Sequence, residues 1–183
     1  MKKRTTIVGS ILVLVVLLIV GGTMAWFTHN EEATNVFAAG TVEIQVNETY
    51  NQPIDWKPGA KTQKEVSIES LGSKQSYVRV ALIPKWDDSS LPINNVELIF
   101  ADDYADNWIY KDGWHYYKHI LDGDKETSLL LKKVELKDET DDDYQGKTLE
   151  IKVKAEAVQA SHEAYKEVWG IDNLPWGEEY IAP

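Results

Sequence analysis

Two patterns of hydrophobic residues divide the chain. Residues 7–20 form a nearly unbroken apolar run, whereas apolar and polar residues alternate in much of the chain beyond residue 40. Alternation with a period of two is typical of strands that bury one face and leave the other in water. It is found in five segments, which are 42–46, 66–68, 78–82, 96–100 and 149–157. The pattern predicts an all-β protein.

Turn signals separate these segments. Asp112-Gly113 stands between two aromatic-rich runs, and Asp-Gly between such runs is a strong sequence signal for a β-hairpin. Lys57-Pro58-Gly59 interrupts the chain before the second alternating segment. Seven or eight strands at this spacing predict an antiparallel β-sandwich or a jelly roll over residues 41–183.

Two segments depart from the strand pattern. Residues 87–95 are polar and contain Pro92, which indicates a loop. Residues 161–169 fit a short helix near the C-terminus, with Ser161 as its N-cap and Gly170 as its stop.

The first 25 residues have the features of a secretory signal peptide. Three basic residues precede the apolar run, and small side chains at Thr23 and Ala25 suit recognition by a signal peptidase. We expect cleavage after Ala25, with the membrane involved only before cleavage. The alternative is an uncleaved anchor, because the 19 residues of 7–25 are enough to span a bilayer.

Charge and composition narrow the function of the exported part. Removal of residues 1–25 leaves 158 residues with 16 basic and 30 acidic side chains, a net charge of −14. Such a chain is repelled by nucleic acid and by anionic lipid, so we expect no nucleic-acid partner. The absence of cysteine excludes disulfides and thiolate metal sites. The signal peptide places the expected location outside the cytoplasm, and an exported chain without cysteine fits a bacterial surface protein.

No strong catalytic motif is present in the sequence. His115 and His119 are four residues apart, which on a helix would suit zinc, but on a strand puts them about 13 Å apart. We therefore expect two solvent-facing histidines and no metal, with a shared metal site as the alternative. The acidic run 137–143 has oxygen ligands that suit calcium but lacks the pattern of an EF-hand loop. We interpret it as a solvated loop and expect no cofactor.

Aromatic residues cluster around the Asp112-Gly113 hairpin. Alternation directs some of these rings outward, so Trp108, Trp114 and Tyr116 are candidate surface-contact residues. The alternative is a core packed with large rings.

The segment that cleavage would free, residues 26–40, is a candidate interaction element. Trp26 and Phe27 begin it, a polar stretch comes next, and Thr34 and Val36 lie close to its end. Such a segment can add as a strand to the sheet edge of a neighbouring molecule, or it can fold back on its own domain.

Several motifs together resemble a known family. Residues 21–28 resemble the signal peptides cut by SipW-type signal peptidases, and residues 37–44 (FAAGTVEI) resemble the FxAGTLDL element of the TasA/camelysin family. Lys57-Pro58-Gly59 is similar to the LKPGD-like turn of that family. The segments 77–80, 144–149 and 154–160 resemble the BsaA-type biofilm matrix proteins within it.

The resemblance implies an exported jelly-roll domain that assembles head to tail into fibres. In similar proteins the freed N-terminal strand completes the sheet of the next subunit, which here gives a donor-strand role to Trp26, Phe27, Thr34 and Val36. We therefore expect a non-enzymatic matrix subunit of a Gram-positive bacterium. The camelysin name also implies a secreted metallopeptidase as the alternative, and a monomeric adhesin is a third hypothesis.

Overall fold

The structure is a computed structural model that describes residues 42–50, 56–140 and 142–177. The chain divides into two units, residues 1–31 and 32–183, and the described residues all belong to the second. The predicted signal peptide (1–25) and N-terminal segment (26–40) lie outside the described residues. Within the described ranges, no helix is long and apolar enough to cross a membrane.

Eight strands in the described residues form two four-stranded sheets in which neighbouring strands are antiparallel. The strands are β1 (Ile44–Tyr50), β2 (Lys61–Ser70), β3 (Ser76–Trp86), β4 (Val96–Phe100), β5 (Trp108–Lys111), β6 (Trp114–Tyr117), β7 (Leu131–Leu136) and β8 (Leu149–Gln159). Sheet A has the order β1-β2-β7-β4, and sheet B has the order β5-β6-β3-β8. The predicted all-β class and the antiparallel sandwich are thus confirmed.

Two of the predicted turns are found where the sequence placed them. Asp112 and Gly113 connect β5 to β6 with φ angles of 51° and 86°. Two central residues with positive φ are what a two-residue type I′ hairpin requires. Gly59, at φ 75°, donates its amide to the Leu136 carbonyl and so fixes the turn before β2 against the end of β7.

Two short helices accompany the sheets, α1 (Tyr104–Asn107) and α2 (Ala164–Trp169), together with a 3-10 turn at Asp142–Tyr144. The helix near the C-terminus is confirmed, and Gly170 ends it at φ 66°. The assignment of Ser161 as its N-cap was wrong. Glu163 holds that position at φ 50°, while the Ser161 hydroxyl accepts a hydrogen bond from the side-chain amide of Gln159 at the end of β8.

The core between the sheets consists of two adjoining clusters. The first contains Ile44, Ile68, Val80 and Trp108, and the second is built around Trp56 and other large rings and aliphatic side chains. The other large members of the second cluster are Trp86, Leu131, Leu136, Tyr144 and Leu149. The inward-facing positions of the alternating segments supply both clusters, as the period-two pattern requires.

A third apolar cluster lies on the opposite face of sheet B. There Tyr77, Tyr116 and Val158 pack against the C-terminal residues beyond β8. Tyr165 and Trp169 of α2, together with Leu174 beyond it, are buried in this contact. Sheet B is therefore covered on both faces over this region.

Candidate functional site

One side of the sandwich is formed by the edges of its two sheets. β1 is the last strand of sheet A and β8 is the last strand of sheet B, and within the described residues neither has a second neighbour. A strand edge carries a row of backbone N–H and C=O groups that can pair with another chain. β8 is the longer of the two edges, with 11 residues against 7 in β1.

The hydrogen-bond register shows which β8 groups point away from β3. The Thr148 carbonyl accepts from the Asp87 amide, and the Ala160 amide donates to the Gln75 carbonyl. Because antiparallel neighbours exchange bonds at every second residue, the even-numbered residues of β8 face β3. The odd-numbered residues direct their N–H and C=O groups to the other edge and their side chains into the sandwich. They include Leu149, Ile151, Val153, Ala155 and Ala157.

The two edges differ in what faces inward. All the inward side chains of β8 named above are apolar, so no inward-pointing charge protects this edge. For β1 the register is set by the Leu71 amide, which donates to the carbonyl of Glu43, the residue just before the strand. The even-numbered residues of β1 therefore direct their N–H and C=O groups away from β2. Glu48 is one of them, and an inward-pointing charge is a device that blocks edge-to-edge pairing. β8 is therefore the edge suited to accept a further strand.

A polar group of three side chains lies between the sheets at one end of this side. The Lys64 side chain is 1% exposed, and its ammonium lies 2.5 Å from the Glu48 carboxylate and 4.5 Å from the centre of the Tyr50 ring. The Tyr50 hydroxyl donates to the Leu149 carbonyl at 3.1 Å. Burial, and then the Glu48 charge, raise the pKa of Tyr50, so the phenol stays protonated and able to donate.

The other side of the sandwich is bridged by α1. Tyr104 lies against Phe100 of β4, and its hydroxyl is 2.8 Å from Nδ1 of His115 on β6. Burial lowers the pKa of His115 to about 4 and is the main cause that raises the pKa of Tyr104 to about 12. Both groups are therefore neutral near pH 7.

The aromatic residues predicted as surface contacts do not form an exposed patch. Trp108 (1% exposed) lies in the core with its indole N–H 3.2 Å from the Ser128 hydroxyl, and Tyr116 (3% exposed) lies under the C-terminal segment. The prediction was wrong for both, because each face of sheet B is covered at these positions. Trp114 is half-buried, and Tyr110 is the exposed ring of the hairpin, at 61%.

An ionic cluster on the outer face of sheet B was not predicted from the sequence. Arg79 donates through Nε and Nη2 to Glu156, and its guanidinium carbon lies 4.2 Å from the Trp114 ring centre and 4.7 Å from that of Trp169. Lys154 also contacts Glu156, at 2.9 Å. Burial acts to raise the pKa of Glu156, but hydrogen bonds from Lys154 and Arg79 lower it overall. Arg79 and Glu156 face each other in the β3–β8 register, and their opposite charges were the sequence feature that could have revealed this cluster.

The two histidines have separate partners. His115 is buried beside Tyr104, so the expectation of a solvent-facing side chain was wrong for it, whereas His119 is exposed and contacts the Asn107 side chain. In residues 42–50, 56–140 and 142–177, no three His, Cys, Asp or Glu side chains are grouped in a way that could hold a metal ion. The acidic run is only partly described, since residue 141 lies outside those ranges.

The fold and its edges define an antiparallel two-sheet β-sandwich with one long edge strand. Residues 1–82 match a family model described as camelysin metallo-endopeptidase. This match supports the assignment of the chain to the TasA/camelysin family that its motifs indicated. No curated protein and no solved structure gives a significant match to the chain.

Proposed function

We propose that this protein is a secreted structural subunit of an extracellular fibre or biofilm matrix. After a signal peptidase removes residues 1–25, residues 26–40 of one subunit add as a strand to β8 of the next. The proposal rests on the family match together with the free edge of β8, the observation that carries it. The exported form would reside in the matrix or at the cell surface.

The dimensions and chemistry of β8 suit this role. Its 11 residues span about 37 Å at 3.4 Å per residue, and residues 26–40 are long enough to pair along it. The incoming backbone would bond to the odd-numbered residues, whose side chains already face the core. An incoming strand of matching alternation would extend that core, with Val36 and Thr34 on its inward face.

Donor and acceptor are different surfaces of the subunit. The donor segment precedes β1 in sheet A, whereas the acceptor is β8 in sheet B. An interface between two different surfaces is heterologous and repeats without closing when its rotation does not form a ring. Filaments with one strand exchanged at every junction are the expected product.

Electron microscopy of the processed protein tests the donor. The protein beginning at Trp26 should form filaments, and a variant that lacks residues 26–36 should stay folded by circular dichroism and fail to polymerise. Normal filaments from the shortened variant would refute the donor role of these residues.

Proline substitutions test the acceptor edge. The N–H of Val153 points away from β3, so Val153→Pro removes a group needed by an added strand without breaking the β3 ladder. It should abolish filaments, and Val153→Thr is the matched control that keeps the N–H. Val46→Pro makes the same change on the free edge of β1 and should leave filaments intact. The reverse result would move the acceptor to β1.

The family description favours one alternative, a secreted metallopeptidase. It predicts stoichiometric zinc in the purified protein and casein cleavage that a chelator stops. Zinc and chelator-sensitive cleavage in a preparation that forms no filaments would replace the fibre proposal.

A further inference from the structure

The Tyr50–Leu149 hydrogen bond connects the two sheets at one end of the β8 edge. Leu149 is an odd-numbered residue, so its carbonyl belongs to the row that points away from β3. Tyr50 of β1 reaches across the sandwich and occupies that carbonyl at 3.1 Å. The first acceptor of the row is thus already used within the subunit.

The contacts around Tyr50 hold its ring in place. Lys64 stands opposite Tyr50 in the β1–β2 register, and its ammonium lies against the ring face. Glu48 neutralises the ammonium, whose side chain is nearly fully buried. Removing Glu48 would leave the buried ammonium without its partner, which is costly. The phenol is therefore held against a buried lysine of sheet A, whose partner Glu48 is partly exposed.

We infer that Tyr50 is the stop that ends strand addition along β8 and thereby sets the register of the incoming segment. This inference rests on the proposed function. A donor strand can use the outward groups from Ile151 to Gln159 without disturbing the subunit. Extension past Leu149 requires the phenol to leave a carbonyl to which it already donates, at the cost of a partly buried hydrogen bond.

The consequence for assembly is a defined register. A strand that slips by one residue turns its inward side chains outward, and a slip of two residues keeps the pattern but changes every partner. Apolar side chains on the inner face of β8 reject the first kind of slip. A fixed end point rejects the second.

Disulfide trapping tests this because the chain contains no cysteine. Lys152 and Thr148 are exposed, even-numbered residues on either side of Leu149. Lys152→Cys or Thr148→Cys is combined with single cysteines introduced at positions 29, 31, 33 and 35 of the donor segment, which face outward when Thr34 and Val36 face inward. Facing residues that do not exchange backbone hydrogen bonds have the shortest Cα–Cα distance across an antiparallel ladder. Oxidation of filaments should therefore form a disulfide at Lys152→Cys and leave Thr148→Cys uncoupled.

Tyr50→Phe removes the hydroxyl and keeps the ring. It should make Thr148→Cys at least tenfold more reactive towards the donor cysteines, while Lys152→Cys still couples. Tyr144→Phe is the matched control, since the Tyr144 hydroxyl also donates to a backbone carbonyl, that of Pro92, away from this edge. The control should leave the trapping pattern unchanged, and thermal melting should show that both variants fold.

The outcomes separate the inference from the proposed function. Coupling of Thr148→Cys in the unmodified background, or an unchanged pattern in Tyr50→Phe, would overturn the stop. Filaments that trap no β8 cysteine would overturn both the stop and the choice of β8. A processed protein that forms no filaments would overturn the proposed function itself.

Discussion

Arg79 and Trp169 connect sheet B to the C-terminal helix, with the guanidinium carbon of Arg79 4.7 Å from the centre of the Trp169 ring. The same guanidinium lies over Trp114 and donates twice to Glu156. Planar guanidinium groups both stack on aromatic rings and bind carboxylates through a fork of donors, which an ammonium does not reproduce. This single side chain therefore joins β3, β6, β8 and α2.

Loss of Arg79 should destabilise the protein. Arg79→Ala leaves the nearly buried Glu156 with one cation, and breaking such a pair costs about 3 kcal/mol. Arg79→Lys should cost less because it retains the charge. Urea denaturation followed by circular dichroism gives the free energy of unfolding, and trypsin cleavage after Lys166 should become faster as α2 loosens.

The control for Arg79 is an ion pair in solvent. Lys132 and Asp102 lie 2.7 Å apart, and the Asp102 side chain is 90% exposed. Lys132→Ala should change the free energy of unfolding far less than Arg79→Ala does, because solvent screens an exposed ion pair. A similar loss in Lys132→Ala and Arg79→Ala would contradict the role given to the Arg79 cluster.

His115 should make stability fall in mild acid. Its pKa is about 4 in the folded protein and 6.5 in the unfolded chain, so the unfolded state takes up the proton first as pH falls. The stability held above pH 6.5 is lost progressively towards pH 4. From these values the loss between pH 7.5 and pH 4.5 is about 2 to 3 kcal/mol.

His115→Gln removes this titration, so the variant should lose about 2 to 3 kcal/mol less than the parent over the same interval. Urea titrations at the two pH values measure the difference. His119→Gln is the matched control because His119 is exposed, and it should behave like the parent. Equal pH dependence of the parent and His115→Gln would show that His115 is not the acid-sensitive group.

The turn at Gly59 should tolerate substitution less well than the hairpin at Gly113. Both residues have positive φ, so alanine strains each backbone by about 1 kcal/mol. A Cβ at Gly113 meets nothing within 4 Å, whereas one at Gly59 requires the exposed Asp138 carboxylate to rotate aside. Thermal melts should therefore show a slightly larger loss for Gly59→Ala. In an Asp138→Ala background the two losses should become similar, and a persistent gap would mean that the Asp138 carboxylate is not the cause.

The alternation of apolar and polar residues predicted the strands well, because a strand that buries one face requires this pattern. The alternation from Leu149 onward gave β8, and Asp112-Gly113 gave the hairpin, since each depends on residues that are neighbours in sequence. The N-cap was misplaced because the Ser161 hydroxyl is bonded to the end of β8 and the chain turns through His162 and Glu163 with positive φ first.

The burial of Trp108 and Tyr116 could not be predicted in the same way. Alternation assigns side chains to two faces but does not say what covers each face. Trp108 faces the other sheet, and Tyr116 faces residues some 50 positions later in the chain. The free edge of β8 likewise depends on sheet order, which is set by long-range pairing.

Coverage of sheet B on both faces has a consequence for how the domain opens. β3 lies between β6 and β8, with core side chains beneath it and the C-terminal segment above its first half. Amide exchange there requires release of a neighbouring strand as well as water entry from one face. Deuterium uptake should therefore be slowest in β3, and the rate at Val78 and Val80 should report unfolding of the whole domain.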